Sequence, residues 1–272
     1  NLLKKNNKKE KYIYFFHSPV STHKFYTKSA FDNYDYIFCN GDYQLIELQK
    51  LENINNSKNK VYKKIGYLYF DYLNKFKNEK KDNQVLIAPS WNSRKKNFTS
   101  LNSLKLLQNL LDNTDYKVVF RPHPEQLKRD YETIQLIKKK FNNNEKFYLD
   151  LSDDNTNFMK TSDILISDYS GIALEFIMIF QRPVIFINDV PKIHNNDFEK
   201  VDRVTIEDDI RDKFGYQIKP NDIGLIHNHV QYAIDDFNLK KYSIDKFLRS
   251  NFYNFGNANK YFCEEILNIL KK

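Results

Sequence analysis

Thr161-Ser162-Asp163-Ile164-Leu165-Ile166-Ser167-Asp168-Tyr169-Ser170-Gly171-Ile172-Ala173-Leu174-Glu175-Phe176 is the stretch that decides how this chain folds. Its first half is a short apolar run of the kind a buried parallel strand needs, and its second half carries apolar residues at helical spacing. The polar group Ser167-Asp168-Tyr169-Ser170-Gly171 therefore falls on the turn between strand and helix. Such a turn aims backbone N–H groups and a helix N-terminus at one point, which suits a phosphate. Ser170 or Asp168 serves equally well as an ordinary helix cap, so the stretch alone leaves both readings open.

Outward from it, short β-rich runs alternate with helical patterns, the signature of stacked βα units and a parallel sheet. Strands are expected near Tyr12–Phe16, Tyr36–Cys39, Val61–Ile65, Gln84–Ala88, Lys117–Phe120, Phe147–Leu149, Ile164–Ser167 and Pro183–Ile187. Helices are expected near Asp42–Leu51, Thr99–Leu111, Pro124–Phe141, Asn155–Thr161 and Gly171–Phe180. The fold class is thus α/β, with doubly wound parallel sheets. The charged segment Asp71–Asn83 is the expected domain junction. Residues 1–75 read as the remnant of an N-terminal domain whose upstream part is absent, 76–238 as a complete second domain, and 239–272 as helices packing back across both. Asn188–Lys219 reads as irregular.

The chain has 272 residues, 41% of them hydrophobic, enough to bury a core. No run approaches the about 18 apolar residues a membrane span needs, and no signal peptide is visible, which points to the cytoplasm. Cys39 and Cys263 lack partners at metal-ligand spacing, excluding a zinc motif or disulfide framework and leaving two ordinary buried thiols. The net charge of +8 allows an anionic partner. Its lysines are scattered among asparagines and form no stripe with interleaved aromatics, so nucleic acid is not expected.

Three polar clusters fall at carboxyl ends of strands, where open parallel sheets bind ligands. Arg121-Pro122-His123-Pro124 follows one strand, and its two prolines hold the arginine and the imidazole in a set geometry. An arginine fork and a histidine donor together could grip a pyrophosphate; the alternative is a Pro124 that merely starts a helix. Pro89-Ser90-Trp91-Asn92-Ser93-Arg94 follows a second strand, and the turn at 167–171 a third. At the front, Tyr12–Phe16 ends in His17, which could take a proton from an attacking hydroxyl or simply bond the backbone. His194, His227 and His229 sit in no motif and read as structural. No carboxylate cluster calls for a metal.

Arg121-Pro122-His123-Pro124, followed by Ser167-Asp168-Tyr169-Ser170 and then Glu175-Phe176, resembles the paired signature of the CDP-glycerol glycerophosphotransferases, which build teichoic acids and related polyol-phosphate polymers. Ala88-Pro89-Ser90-Trp91 is similar to that family's A-P-[ST]-W element, and Gly66 with Asp71 sits where the family has G-x-P-R-x-D. The resemblance spans about Tyr12 to Asp189. It implies a GT-B fold, with residues 1–75 on the acceptor side and 76–238 holding the nucleotide donor. It further implies that Arg121 and His123 contact the donor pyrophosphate, that Ser170 and its helix end hold a phosphate, that Glu175 lies near the ribose, and that His17 activates the acceptor alcohol. The donor-binding candidates are Ser90, Arg121, His123, Ser167, Asp168, Ser170, Gly171 and Glu175; the catalytic candidates are His17 and His123. Two departures stand out. Gly171 replaces a usual second serine, and Gly66-Tyr67-Leu68-Tyr69-Phe70-Asp71 lacks the family's proline and arginine.

The expected activity is transfer of glycerol phosphate, or a related polyol phosphate, from a CDP-activated donor to a hydroxyl of a surface glycopolymer, with no cofactor and no metal. The expected partners are CDP-glycerol or a similar donor, a lipid-linked polymer acceptor and an anionic membrane face. A GT-B glycosyltransferase using a nucleotide sugar for capsule or surface polysaccharide is the alternative. A non-catalytic binder of acidic polymers is the remoter one.

Overall fold

The computed structural model of the chain describes residues 10–56, 60–91 and 102–271. Two compact units divide the chain: one comprises residues 1–74, 192–209 and 245–272, the other 75–191 and 210–244. The single range 76–238 expected for the second domain is therefore interrupted, because 192–209 belongs to the first unit. Residues 245–272 belong to that unit as well.

In the first unit β1 (Ile13–Phe15), β2 (Tyr36–Cys39) and β3 (Val61–Lys64) form a parallel sheet in sequential order. The central strand is buried on both faces, and its side chains alternate as the pleat requires. Ile37 and Cys39 join Phe16, Phe31 and Leu48 on one side, while Phe38 joins Ile65 and Ile269 on the other. Burial pushes the Cys39 thiol pKa upward. Cys263 departs from the expectation: it is exposed, because on helix Ala258–Leu270 it falls off the Phe262, Ile266 and Ile269 stripe that packs inward.

The second unit holds six parallel strands in the order β6-β5-β4-β7-β8-β9, where β4 is Gln84–Ile87, β5 Lys117–Phe120, β6 Phe147–Leu149, β7 Ile164–Ser167, β8 Val184–Ile187 and β9 Tyr216–Ile218. Numbered within the unit this is 3-2-1-4-5-6, the doubly wound order of dinucleotide-binding folds. Alternate residues Val85, Ile87, Val118, Phe120, Ile164, Ile166, Ile185 and Ile187 form one core layer with helices Ser103–Asn113, Tyr131–Phe141 and Ile226–Lys240. The long helix expected over 124–141 breaks at Asp130 into Pro124–Arg129 and Tyr131–Phe141, Asp130 taking φ −137°, ψ 40°. The stretch expected to be irregular, Asn188–Lys219, contains both β9 and helix Ile206–Phe214. Thr99–Leu101, where a helix was expected to begin, and Asn92–Arg94 of the Pro89–Arg94 cluster lie outside the described residues.

No helix among the described residues is long and apolar enough to cross a membrane.

Candidate active site

Strand order reverses between β4 and β7, so the crevice of the second unit opens where those two strands end. The turns that leave them are stitched together. Ser167 Oγ donates to the Ala88 carbonyl at 2.6 Å, and the Ser90 N–H donates to Asp168 Oδ1 at 2.7 Å. Both Ser167 and Asp168 are completely buried in this seam. Burial raises the Asp168 carboxyl pKa, opposed by the bonds from Ser90. Ser167 Oγ and Asp168 Oδ1, on two residues expected to touch the donor, are bonded to the neighbouring turn.

Ser170 is half-buried and caps helix Gly171–Glu175 from an extended backbone (φ −102°, ψ 140°), yet its side chain bonds none of the helix N–H groups. The ordinary-cap reading of Ser170 therefore fails at the hydroxyl. Gly171 is half-buried, and Glu175 is buried one helical turn further on. The helix continues as a π-helical turn over Phe176–Phe180, a feature that recurs near functional sites.

β5 lies next to β4, and the Arg121 N–H donates to the Ile87 carbonyl at 2.8 Å, which brings Arg121-Pro122-His123 to the same sheet edge. His123 is half-buried, and its Nδ1 accepts the Glu125 N–H at 3.1 Å at the start of helix Pro124–Arg129. An accepting Nδ1 places the proton of the neutral ring on Nε2, so the ring's far nitrogen is a donor. Arg121, expected to contact the donor pyrophosphate, has partners within the chain. Its guanidinium bonds the Asp150 carboxylate, the Ser152 carbonyl at 3.0 Å and the Asp154 carbonyl at 3.3 Å. Asp150 in turn accepts the Ser152 N–H and hydroxyl, at 3.0 and 2.6 Å. The fork is turned onto the loop after β6 because a buried carboxylate lies there.

One residue that sequence reading passed over is central. Arg211, only 3% exposed, donates to the Asp168 carbonyl and to Asn188 Oδ1, both at 2.7 Å. Its guanidinium lies between the rings of Tyr169 and Phe186, 4.2 and 4.3 Å from their centroids. Asn188 sits at the end of β8 and Asp150 at the end of β6, so the strand-end rule points to both; Arg211 lies on a helix without a motif and offered no such signal. In the first unit, His17 is exposed at the end of β1, its carbonyl accepting Tyr67 Oη at 3.0 Å. His227 and His229 bond Asn109 Oδ1 and Tyr216 Oη. Among the described residues no group of three or more His, Cys, Asp or Glu could hold a metal ion.

Residues 26–236 match the family described as CDP-Glycerol:Poly(glycerophosphate) glycerophosphotransferase. The chain belongs to that family. It is a transferase, and the matched span takes in β2 to β9 with every strand-end cluster of the second unit. Among solved structures, this glycerophosphotransferase-family chain is similar to the wall teichoic acid polymerase TagF, with a TM-score of 0.59 and 19% identity over 97% of this chain and 69% of that one. A further TagF structure, soaked with CDPG, has a TM-score of 0.53 and 19% identity over 90% of this chain and 58% of the other. The UDP-GlcNAc 2-epimerase of Methanocaldococcus jannaschii has a TM-score of 0.53 and 16% identity over 88% of this chain and 61% of that one. At such identities the likeness establishes a shared fold of GT-B type. No protein of curated function matches the chain.

Proposed function

We propose that this glycerophosphotransferase-family chain moves glycerol phosphate, or a closely related polyol phosphate, from a CDP-activated donor to a hydroxyl of a cell-surface glycopolymer and releases CMP. The observation that carries the reading is the His123 ring, held by the Glu125 N–H at the crevice edge with its Nε2 as donor. The acceptor oxygen attacks the β-phosphorus, a new P–O bond forms, and the bond from that phosphorus to the bridging oxygen breaks. The electron pair leaves with CMP. His123 Nε2–H and the N–H groups at Ser170-Gly171 stabilise charge on the transferring and leaving phosphates, and His17 takes the hydroxyl proton. Glu175 stands near the ribose in this reading, and Arg121 acts through the 150–154 loop. The TagF structure soaked with CDPG supports a CDP-linked donor. The acceptor is a lipid-linked polymer met at the cytoplasmic face of an anionic membrane, an encounter that the net charge of +8 favours.

His123→Asn tests the reading, because asparagine keeps a side-chain acceptor for the helix N-terminus while removing the imidazole. Transfer from CDP-glycerol should fall by about 10²-fold or more. Near-normal turnover by the variant would sink the mechanism. Thermal-shift titration with CDP-glycerol, CDP-ribitol and UDP-sugars identifies the donor, since only a ligand of the native state raises the midpoint by mass action.

A further inference from the structure

The loop that follows β1 is held almost residue by residue by side chains buried beneath it. The His17 carbonyl accepts from Tyr67 Oη, the Ser18 carbonyl from Asn40 Nδ2 at 3.3 Å, the Pro19 carbonyl from Tyr43 Oη at 2.9 Å, and the Val20 carbonyl from Gln44 Nε2 at 3.0 Å. The direction then changes. The Ser21 N–H donates to Glu207 Oε2 at 2.9 Å, and the Thr22 N–H and Oγ1 donate to Glu47 Oε2 at 2.6 and 2.8 Å. Gln44 and Glu47 are fully buried, and Asn40 and Glu207 nearly so. Burying polar and charged side chains opposes folding unless they are bonded, and here each directs at least one polar atom to this one stretch of backbone, with Glu47 Oε1 standing 3.3 Å from His23 Nδ1 on the same stretch. From Pro19 to Lys24 the stretch is itself buried, so its backbone groups must find their partners inside the protein. What this loop presents to solvent is His17.

We infer that Glu47, on helix Asp42–Asn55, is a positioning residue that anchors the 17–21 loop where it enters the short helix Thr22–Phe25 and thereby holds the His17 imidazole where an acceptor hydroxyl must be deprotonated. The inference rests on the transfer reading above and adds a residue and a role to it. Holding a base in place acts on the chemical step and leaves donor affinity alone.

The test uses the full chain with Glu47→Gln, His17→Ala and the double variant. Glu47→Gln should lower kcat at least tenfold with the KM for CDP-glycerol within twofold of wild type. On the His17→Ala background the same change should cost nothing further, because the group being positioned is gone. An unchanged kcat, or an equal loss on both backgrounds, overturns the inference. Thr22→Val, which removes only the hydroxyl bond to Glu47, replaces Glu47→Gln in the same cycle if the latter fails to fold, with the same reading of outcomes. Absence of transfer by the wild type sinks the transfer reading instead. Hydrogen exchange then decides the positioning role by itself. Slow exchange of the Ser21 and Thr22 amides that Glu47→Gln accelerates, with β2 unchanged, supports it; fast exchange in wild type, or no acceleration, overturns it.

Discussion

The guanidinium of Arg211 donates to the backbone carbonyl of Asp168, and so a helix residue far along the chain sets the conformation of the turn that ends in Ser170. The same group bonds Asn188 and fills the gap between the Tyr169 and Phe186 rings, a combination that needs a planar fork. Arg211→Lys keeps the charge but cannot make both bonds while stacking on both rings. It should destabilise the fold by about 1.5–3 kcal/mol, the range for a hydrogen bond to a charged group. Urea unfolding measures this, and a loss below about 0.5 kcal/mol would count against the role.

Arg121 and Asp150 make a paired prediction. Asp150 is 2% exposed, and its carboxylate gathers the Arg121 guanidinium together with the Ser152 N–H and hydroxyl. Removing Arg121 leaves a buried carboxylate without its counter-charge, a loss of the kind that costs about 3–5 kcal/mol. Arg121→Met should approach that loss in equilibrium unfolding, and Asp150→Asn should cost less, because the half-buried guanidinium keeps the Ser152 and Asp154 carbonyls. The double variant should recover part of it. If Arg121 instead worked only on substrate, Arg121→Met would leave stability unchanged.

The strands could be read directly because runs such as Ile164-Leu165-Ile166 have no exposed side to dilute the apolar signal. β9 escaped because Tyr216-Gln217-Ile218 buries only Ile218 at a sheet edge. Helix Ile206–Phe214 escaped although Ile206, Ile210 and Phe214 stand four apart and all face inward, for Glu207-Asp208-Asp209 between them reads as a solvated charge run. At the site, the strand-end rule located the three turns, but it could not say which way a side chain turns once there. Arg121 is drawn to a carboxylate 29 residues later, Asp168 to an amide 78 residues earlier, and both attractions exist only after the sheet has assembled.

Gly66 gives a sharper conformational test. Its φ of +102° is a left-handed value, and a Cβ there would stand 2.2 Å from the Tyr253 carbonyl oxygen. That oxygen cannot easily retreat, because the next residue, Asn254, donates through Nδ2 to the Lys64 and Ile65 carbonyls at 2.9 and 3.0 Å. Strain in φ and overpacking each cost about 1–3 kcal/mol, and here they combine. Gly66→Ala should therefore lower stability by about 3 kcal/mol or more in denaturant titration, whereas Gly256→Ala should cost only the strain, since at its φ of +84° a Cβ meets nothing within 4 Å.

Glu207 makes the stability of the first unit depend on pH in a direction opposite to that of most carboxylates. Burial raises its carboxyl from the ordinary 4.5 to about 7, with the charges of Glu47 and Asp208 adding to the rise and the bond from the Ser21 N–H opposing it. The folded state therefore holds a proton that the unfolded chain has released between those two values. Its contribution is complete below about pH 4.5 and is lost as pH rises towards 7, by an amount of the order of 3 kcal/mol. Glu207→Gln keeps an oxygen for the Ser21 amide and has no proton to lose, so the group's share of this decline should vanish. Urea unfolding of both proteins at pH 5 and pH 8 isolates it, because every other titrating group is common to the two. The gap in stability should open in favour of the glutamine variant at the higher pH; parallel profiles would show that Glu207 ionises in the fold as readily as in the unfolded chain.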